Sequence, residues 1–509
     1  MDRSVRVAAP VDDRSPAPAL NTASPSPASL APPAAAFGGA GLPARVKWAY
    51  ATGGTADILG HWLYFNLADP VYSSYFHLSP TQIGNVKAAT LIADAFAGVF
   101  FGWLSDITRS RWGRRRPYIL VGSVLSGLAL PLLFLPSRSW GQEQIFSYML
   151  LSAVLYSPLI ASYNSAYQAL GAELTPDYHE RANVMGYKAI VQKTVGILIG
   201  AALWLSGLPL FRDPATGEID SGKGAMAACA VAGLLMMASG VINARAVPER
   251  YYATAASQKA PGVLETLRST LSCKPFLVLL GVGFAYAIPT FAVDPLGYYA
   301  GYYYVLQDYH DAHGAYGMWG VLKLWGGVLY TLCGIAAVYP AQRLVRRYGK
   351  RAALSTILAF GVVAFGLSWV MYTPKAPWLV VLHTGFSGFC ATGLWVVLPS
   401  MTADSLDYEE QRSGARREGA FSSSFFWATK AGMGIASILA GQALDRLTGF
   451  RAELGGHQSG QTYFMIRALF AGIPIVACFV ALALLRLYPL SAERMGSIRA
   501  DLEARRGTV

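Results

Sequence analysis

Apolar runs of about 20 residues, enough for a helix to cross a ~30 Å hydrocarbon core, recur along the whole chain. They begin near residues 46, 81, 117, 145, 184, 224, 275, 316, 351, 377, 418 and 461. The third, PYILVGSVLSGLALPLLFLP, is typical. In lipid every backbone N–H and C=O must be satisfied internally, so runs of this length are read as helices. Only 14% of the 509 residues are charged, whereas a soluble domain carries about 25%. The expected fold is an all-α polytopic membrane protein with twelve transmembrane helices.

The formal net charge of +12 raises the question of a nucleic-acid partner, and its distribution answers it. Arg109, Arg111, Arg114, Arg115 and Arg116 follow the second run; Arg343, Arg346, Arg347, Lys350 and Arg351 follow the eighth; Arg412, Arg416 and Arg417 follow the tenth. Alternate loops, such as 70–80 and 304–315, contain no Lys or Arg. This is the positive-inside pattern, which places the basic loops and both termini in the cytoplasm of a plasma (inner) membrane protein. No nucleic-acid partner is expected; the bilayer is the partner.

Residues 1–44 hold 8 of the 28 prolines and no apolar run. They read as a disordered cytoplasmic tail without the apolar core of a cleaved signal. The five cysteines stand in or beside apolar runs at no metal-ligand spacing, which predicts small hydrophobes and no disulfide framework.

A polar stretch, 248–274, separates the sixth and seventh runs. It reads as a cytoplasmic linker between two six-helix bundles, 45–247 and 275–490, with a cytoplasmic tail at 491–509. An internal repeat supports the division. Arg111-Trp112-Gly113-Arg114-Arg115 corresponds to Arg347-Tyr348-Gly349-Lys350-Arg351 at an offset of 236 residues, and the same offset sets Arg181 on Arg417. Parallel six-helix repeats are the architecture of major facilitator transporters, whose substrate site lies at the midplane between pseudo-symmetric halves.

Asp57, Asp94 and Lys430 are ionisable residues within runs that are otherwise apolar. Such groups persist where they face a cavity or a partner. Asn164 and Gln168, four residues apart on the fourth run, share one helical face, and Trp427 precedes Lys430 by three residues. These residues suit hydroxyl recognition; helix–helix hydrogen bonding is the structural alternative. Lys87, two turns before Asp94, competes for either carboxylate. Asp294-Pro295 interrupts the seventh run, and Lys323 and Arg467 are isolated bases that would neutralise Asp294 or bind an acidic substrate. Asp106, Arg114, Glu173, Arg181, Asp404 and Arg417 read as a cytoplasmic gate of charged pairs between the bundles, or else as plain topology signals.

Three motifs carry a family resemblance covering about residues 46–490. Gly102-Trp103-Leu104-Ser105-Asp106 through Arg111-Trp112-Gly113-Arg114-Arg115-Arg116-Pro117-Tyr118 resembles the helix 2–3 signature of the glycoside–pentoside–hexuronide cation symporters. Asp404-Ser405-Leu406-Asp407-Tyr408-Glu409, then Arg416-Arg417-Glu418-Gly419 and Lys430, resembles their helix 10–11 signature. Glu173-Leu174-Thr175-Pro176-Asp177-Tyr178 with Glu180-Arg181 is similar to their helix 4–5 loop.

The resemblance implies that Asp57 hydrogen-bonds sugar hydroxyls, that Asp94 is the first carboxylate of a cation site, and that Lys430 lies beside it. Sodium-coupled members place a second aspartate four residues after the first, together with an asparagine. Here the run is Asp94-Ala95-Phe96-Ala97-Gly98, and the helix 4 aspartate of that site aligns with Asn164. One carboxylate and at most one amide are too few for a cage of hard oxygens. A proton on Asp94 is the simpler coupling ion, with sodium the alternative.

The expected function is cation-coupled symport of a sugar or glycoside by alternating access, by a monomer without cofactor. Asp57, Asp94, Asn164, Gln168, Trp427 and Lys430 are the candidate substrate residues, and Asp94 and Lys430 the coupling pair. No Gly-x4-Gly-Lys-Ser/Thr motif points to ATP-driven transport, and no Ser/His/Asp or metal-ligand constellation points to an enzyme. A carrier of lysolipids and a non-transporting sensor are the alternatives.

Overall fold

A computed structural model describes residues 42–175, 178–213, 217, 219–249, 273–310, 315–413 and 418–506. Residues 1–41 of the expected tail, 250–272 of the expected linker, and Arg417 lie outside them, as do the side chains of Arg181 and Trp427. Residues Ala44–Val509 form one compact unit.

The unit is built from helices. α1 occupies 44–73 and is interrupted; α2 is Pro80–Ile107, α3 Arg116–Ala129, α4 Gln142–Glu173, α5 Tyr178–Ser206, α6 Ser221–Ala246 and α7 Lys274–Tyr299. Ala315–Met371 breaks at Gly349, whose φ of 81° lies outside any helix, giving α8 (315–348) and α9 (350–371). α10 is Leu379–Ser413, α11 Glu418–Gln442 with a π turn continuing to residue 447, α12 Gly460–Leu485 and α13 Ala492–Arg506. Nine of the described helices are long and apolar enough to cross a membrane, Ala315–Met371 counting once. Gly349 divides this long helix between the eighth and ninth expected runs, and interrupted helical segments lie at 44–73 and 418–447. Gly113 has φ 106°, so the repeated Arg-x-Gly motif places a left-handed glycine, free of Cβ strain, in both halves.

Local signals set the helix starts. Before α2, Ser79 Oγ accepts Gln82 N–H at 3.2 Å and Gln82 Oε1 accepts Ser79 N–H at 3.0 Å, a capping box with Pro80 at the first helical position. Asp220 and Ser459 cap α6 and α12 by accepting the N–H of Lys223 and Thr462.

α1 is broken for an identifiable reason. Gly53 lies in a turn where a Cβ would sit 2.4 Å from the Tyr167 ring. The carbonyls around it also accept from side chains: Tyr163 donates to Gly53 O at 2.6 Å, Tyr167 to Tyr50 O at 3.0 Å, and Asn243 to Ala49 O and Tyr50 O at 3.0 Å. A short α turn, Gly54–Ile58, follows, then a π turn, Leu59–Leu63, into which Tyr156 donates at Gly60 O, 2.9 Å. Asp57 and His61 sit in these two turns.

α2 packs on α4 and α11, α3 on α6, α5 on α8, and α7 on α11 and α12. The two halves meet at the end away from the arginine-rich loops. There a Cβ on Gly84 would be 2.4 Å from Ser437 O and one on Gly441 would be 2.5 Å from Pro80 O; such contacts let α2 and α11 approach at backbone distance. Asp445 accepts Thr81 N–H at 2.9 Å, Ser206 and Tyr316 hydroxyls bond at 3.1 Å, and Trp62 stacks on Phe291 at 5.6 Å. The stretch after residue 490 is helical: Met495, Ile498 and Leu502 of α13 are buried in the same core cluster as Tyr488, Leu490 and the α10 residues Val397 and Met401.

Candidate functional site

Two polar rungs join α1 to α4. Asp57 and His61 are four residues apart on α1, and Gln168 and Asn164 are four apart on the antiparallel α4. In the first rung Asp57 Oδ2 accepts from Gln168 Nε2 at 3.2 Å and from Gln192 Nε2 of α5 at 2.7 Å. Lys188 Nζ stands 3.6 Å from the same oxygen and donates to Gln168 Oε1 at 2.7 Å. In the second rung His61 Nδ1 is 2.7 Å from Asn164 Nδ2, and His61 Nε2 is 3.1 Å from Asp94 Oδ2.

Asp94 is 2% exposed. Its Oδ2 also accepts from Lys430 Nζ, an ion pair that crosses from α2 to α11. Oδ1 of Asp94 and Oδ1 of Asn164 are buried without a hydrogen-bond partner among the described residues. A cavity of about 10 Å³, lined by Gly60, His61, Tyr64, Thr90, Asp94 and Tyr156 among others, lies beside them, with room for about one water.

The structure thus brings Asp57 to Gln168 and Asp94 to Lys430, and turns Asn164 toward His61. Lys87 competes for neither carboxylate: it pairs with buried Asp69. Arg467 donates to the Tyr304 hydroxyl and to Trp369 O and lies over both rings, with no ion pair to Asp294 described.

At the arginine-rich end, Arg114 and Arg115 both donate to Glu173 Oε1 at 2.6 Å, and Arg115 reaches Asp106 at 2.9 Å. Glu249 accepts the backbone N–H of Arg114, Arg115 and Arg116 at 2.8, 2.9 and 2.9 Å, an anion at the N-terminus of α3. Asp404 pairs with Lys350 at 2.7 Å. Among the described residues these pairs lie within one half each; the expected gate partners Arg181 and Arg417 lie outside the described side chains.

His61, Lys188, Gln192 and Glu249 were not singled out from sequence, and Arg115 and Lys350 only as loop charges of the repeated motif. His61 carried a signal, an ionisable residue one turn after Asp57 in the same apolar run, and Lys188 and Gln192 another, polar residues four apart on the fifth run. Glu249 carried none beyond its position in a polar segment.

The long apolar helices are those of a polytopic membrane protein, and the proteins this chain resembles are major facilitator transporters, not enzymes. The chain belongs to the MFS/sugar transport protein family, whose model matches residues 50–492, and within it to the glycoside–pentoside–hexuronide cation symporters. It is 25% identical over 435 residues to the isoprimeverose transporter of Lactiplantibacillus pentosus, covering 85% of each chain. It is 24% identical to a putative glycoside/cation symporter of Escherichia coli (strain K12), covering 85% of this chain and 88% of that one. Among solved structures it superposes on a D-xylose–proton symporter with a TM-score of 0.54 at 16% identity, covering 86% of this chain and 96% of that one. It also superposes on the nucleoside transporter NupG with a TM-score of 0.51 at 12% identity, covering 88% of this chain and 100% of that one. These two likenesses establish the fold.

Proposed function

We propose that this chain is a proton-coupled sugar or glycoside symporter of the plasma membrane that works by alternating access as a monomer, with its arginine-rich loops and both termini in the cytoplasm. The observation that carries the reading is the Asp94–Lys430 ion pair between the halves. A carboxylate that holds the halves together when empty, and lets go when protonated or when substrate competes for it, couples ion to substrate. Asp57, held by two glutamines and Lys188, is the second element: a carboxylate accepts vicinal hydroxyls with both oxygens. Relatives named for isoprimeverose and for glycoside/cation symport support a sugar as cargo.

Proton coupling is favoured over sodium by the donor set. Asp94 is the lone carboxylate of its cluster, and one of its oxygens already accepts from both Lys430 and His61, which leaves few hard oxygens for sodium.

Counterflow in proteoliposomes loaded with a panel of glycosides, pentoses, uronates and lysolipids tests the reading. Exchange of a sugar is the expected result. Exchange of lysolipids alone would replace it with an amphipath carrier, and no exchange of any compound with a sensor on the same fold.

A further inference from the structure

The symport reading places the coupling proton on the Asp94 carboxylate; the imidazole beside it is a second acceptor at the same site. Two donors compete there for one oxygen. Lys430 and His61 both donate to Oδ2 of Asp94, while Oδ1 has no partner among the described residues. On the far side of the imidazole, Asn164 Nδ2 lies 2.7 Å from Nδ1. With that amide donating, Nδ1 is an acceptor and the ring is the neutral Nε2–H tautomer. Asn164 Oδ1, the other end of the same amide, is buried and unpartnered among the described residues. Turning the amide over presents that oxygen to Nδ1, which then must carry a hydrogen. The site accommodates both protonation states of the ring at the cost of one amide flip.

We infer that His61 is the proton carrier of this transporter, with Asn164 as the positioning residue that reads its charge, and that protonation of His61 releases Lys430 from Asp94. The proposal rests on the proton-symport reading. The proton comes from water and adds to Nδ1. The Asn164 N–H···Nδ1 bond is replaced by Nδ1–H···Oδ1, and the Nε2–H bond to Asp94 persists. The imidazolium then neutralises Asp94, so Lys430 loses its counter-charge, and with it goes the ion pair that ties α2 to α11. When Lys430 returns to Asp94 on the other side of the cycle, the proton leaves.

Among the described residues few other groups face the ring; Tyr64 of α1 lines the same cavity. From α2 there is Asp94, Lys87 being engaged with Asp69. From α11 there is Lys430. From α4 there are Asn164 and Tyr156, which donates to Gly60 O. Cys229 of α6 is near Tyr156, and Lys188 and Gln192 of α5 are turned to Asp57. None of these takes the place of the imidazole between Asp94 and Asn164. Its π turn, Leu59–Leu63, is a distortion found often at functional sites.

The test uses the full chain in proteoliposomes with two readouts. One is accumulation of the exchanged sugar under an imposed proton gradient. The other needs no transport: labelling of Ser437→Cys, at the contact with Gly84, by an impermeant maleimide over about pH 5–8, the range in which histidine titrates, each value divided by that of the same protein denatured at the same pH so that the thiol's own ionisation cancels, against the background of the native cysteines. In the wild-type background acid is expected to increase labelling. His61→Gln keeps a donor for Asp94 but binds no proton; its uptake is expected to stop at equal concentrations inside and out, with labelling insensitive to pH. Asn164→Asp offers only acceptors to the ring, holds the imidazolium, and is expected to fix labelling at its acid level.

Accumulation by His61→Gln at the wild-type ratio, or labelling that follows pH as in wild type in both variants, overturns the inference. If no sugar carries protons yet labelling responds to pH through His61, the symport reading falls while the switch stands. Size-exclusion profiles matching wild type show that a variant has folded.

Discussion

Lys430 of α11 forms an ion pair with Asp94 of α2, joining residues 336 positions apart in sequence and linking the two halves of the chain. Both groups lie in helices of a membrane-spanning protein, where an unpartnered charge costs several kcal/mol by most estimates. The pair is therefore under tension between electrostatic need and the requirement of alternating access that the halves separate.

Removing Lys430 tests the stability side of that tension. Lys430→Ala leaves Asp94 with His61 alone; because the Lys430 side chain is 34% exposed, solvent screens the pair and the cost falls below the roughly 3–5 kcal/mol of a fully buried pair. The variant should show a lower Tm in detergent than wild type, and Lys430→Ala/Asp94→Asn should recover most of the loss. An unchanged Tm in the single variant would mean that water already solvates the pair.

Asp57 is the proposed sugar clamp. Charge-assisted hydrogen bonds contribute roughly 1.5–3 kcal/mol each, so Asp57→Ala should weaken glycoside binding about tenfold to a hundredfold with insertion intact. Calorimetric titration checks this; equal affinities in wild type and variant would remove Asp57 from the site.

Gly84 sets how closely the halves approach. Its Cβ position is 2.4 Å from Ser437 O, backbone that cannot step aside, so Gly84→Val should push α2 and α11 apart at that end. Cross-linking of Thr81→Cys to Asp445→Cys, whose parent residues are hydrogen-bonded, should fall in the valine background. Undiminished cross-linking would show that the helices accommodate the added carbons.

Glu249 closes the N-terminus of α3 through three backbone N–H groups. Glu249→Ala should cost about 1–3 kcal/mol for donors left unpaired, seen as a lower Tm, with the affinity for sugar unchanged because the residue is far from Asp57. A change in affinity without a change in Tm would contradict the structural role.

The fold was legible because lipid permits few solutions: runs of PYILVGSVLSGLALPLLFLP type must be helices, and Arg-rich loops mark one side. The Asp94–Lys430 pair was legible through the family motif that places a lysine opposite the helix 2 carboxylate. His61 escaped notice because its role depends on a π turn, and no periodicity in the sequence announces where one extra residue is accommodated. The partner of Lys87 escaped for the same reason, Asp69 lying in a second π turn, Asp69–Ser73. The charges at the basic end were read as inter-half pairs or plain topology signals, and sequence does not say which acid takes which base; Glu173 takes Arg114 and Arg115 from its own half.

The most direct measurement is sugar accumulation in proteoliposomes under an imposed inward proton gradient, without sodium, by wild type and Asp94→Asn side by side. Concentrative uptake by wild type and only downhill exchange by Asp94→Asn is the result predicted here. Accumulation against a gradient by Asp94→Asn, or wild-type accumulation that appears only when sodium is added at fixed pH and membrane potential, would contradict the assignment of proton coupling to the Asp94 site.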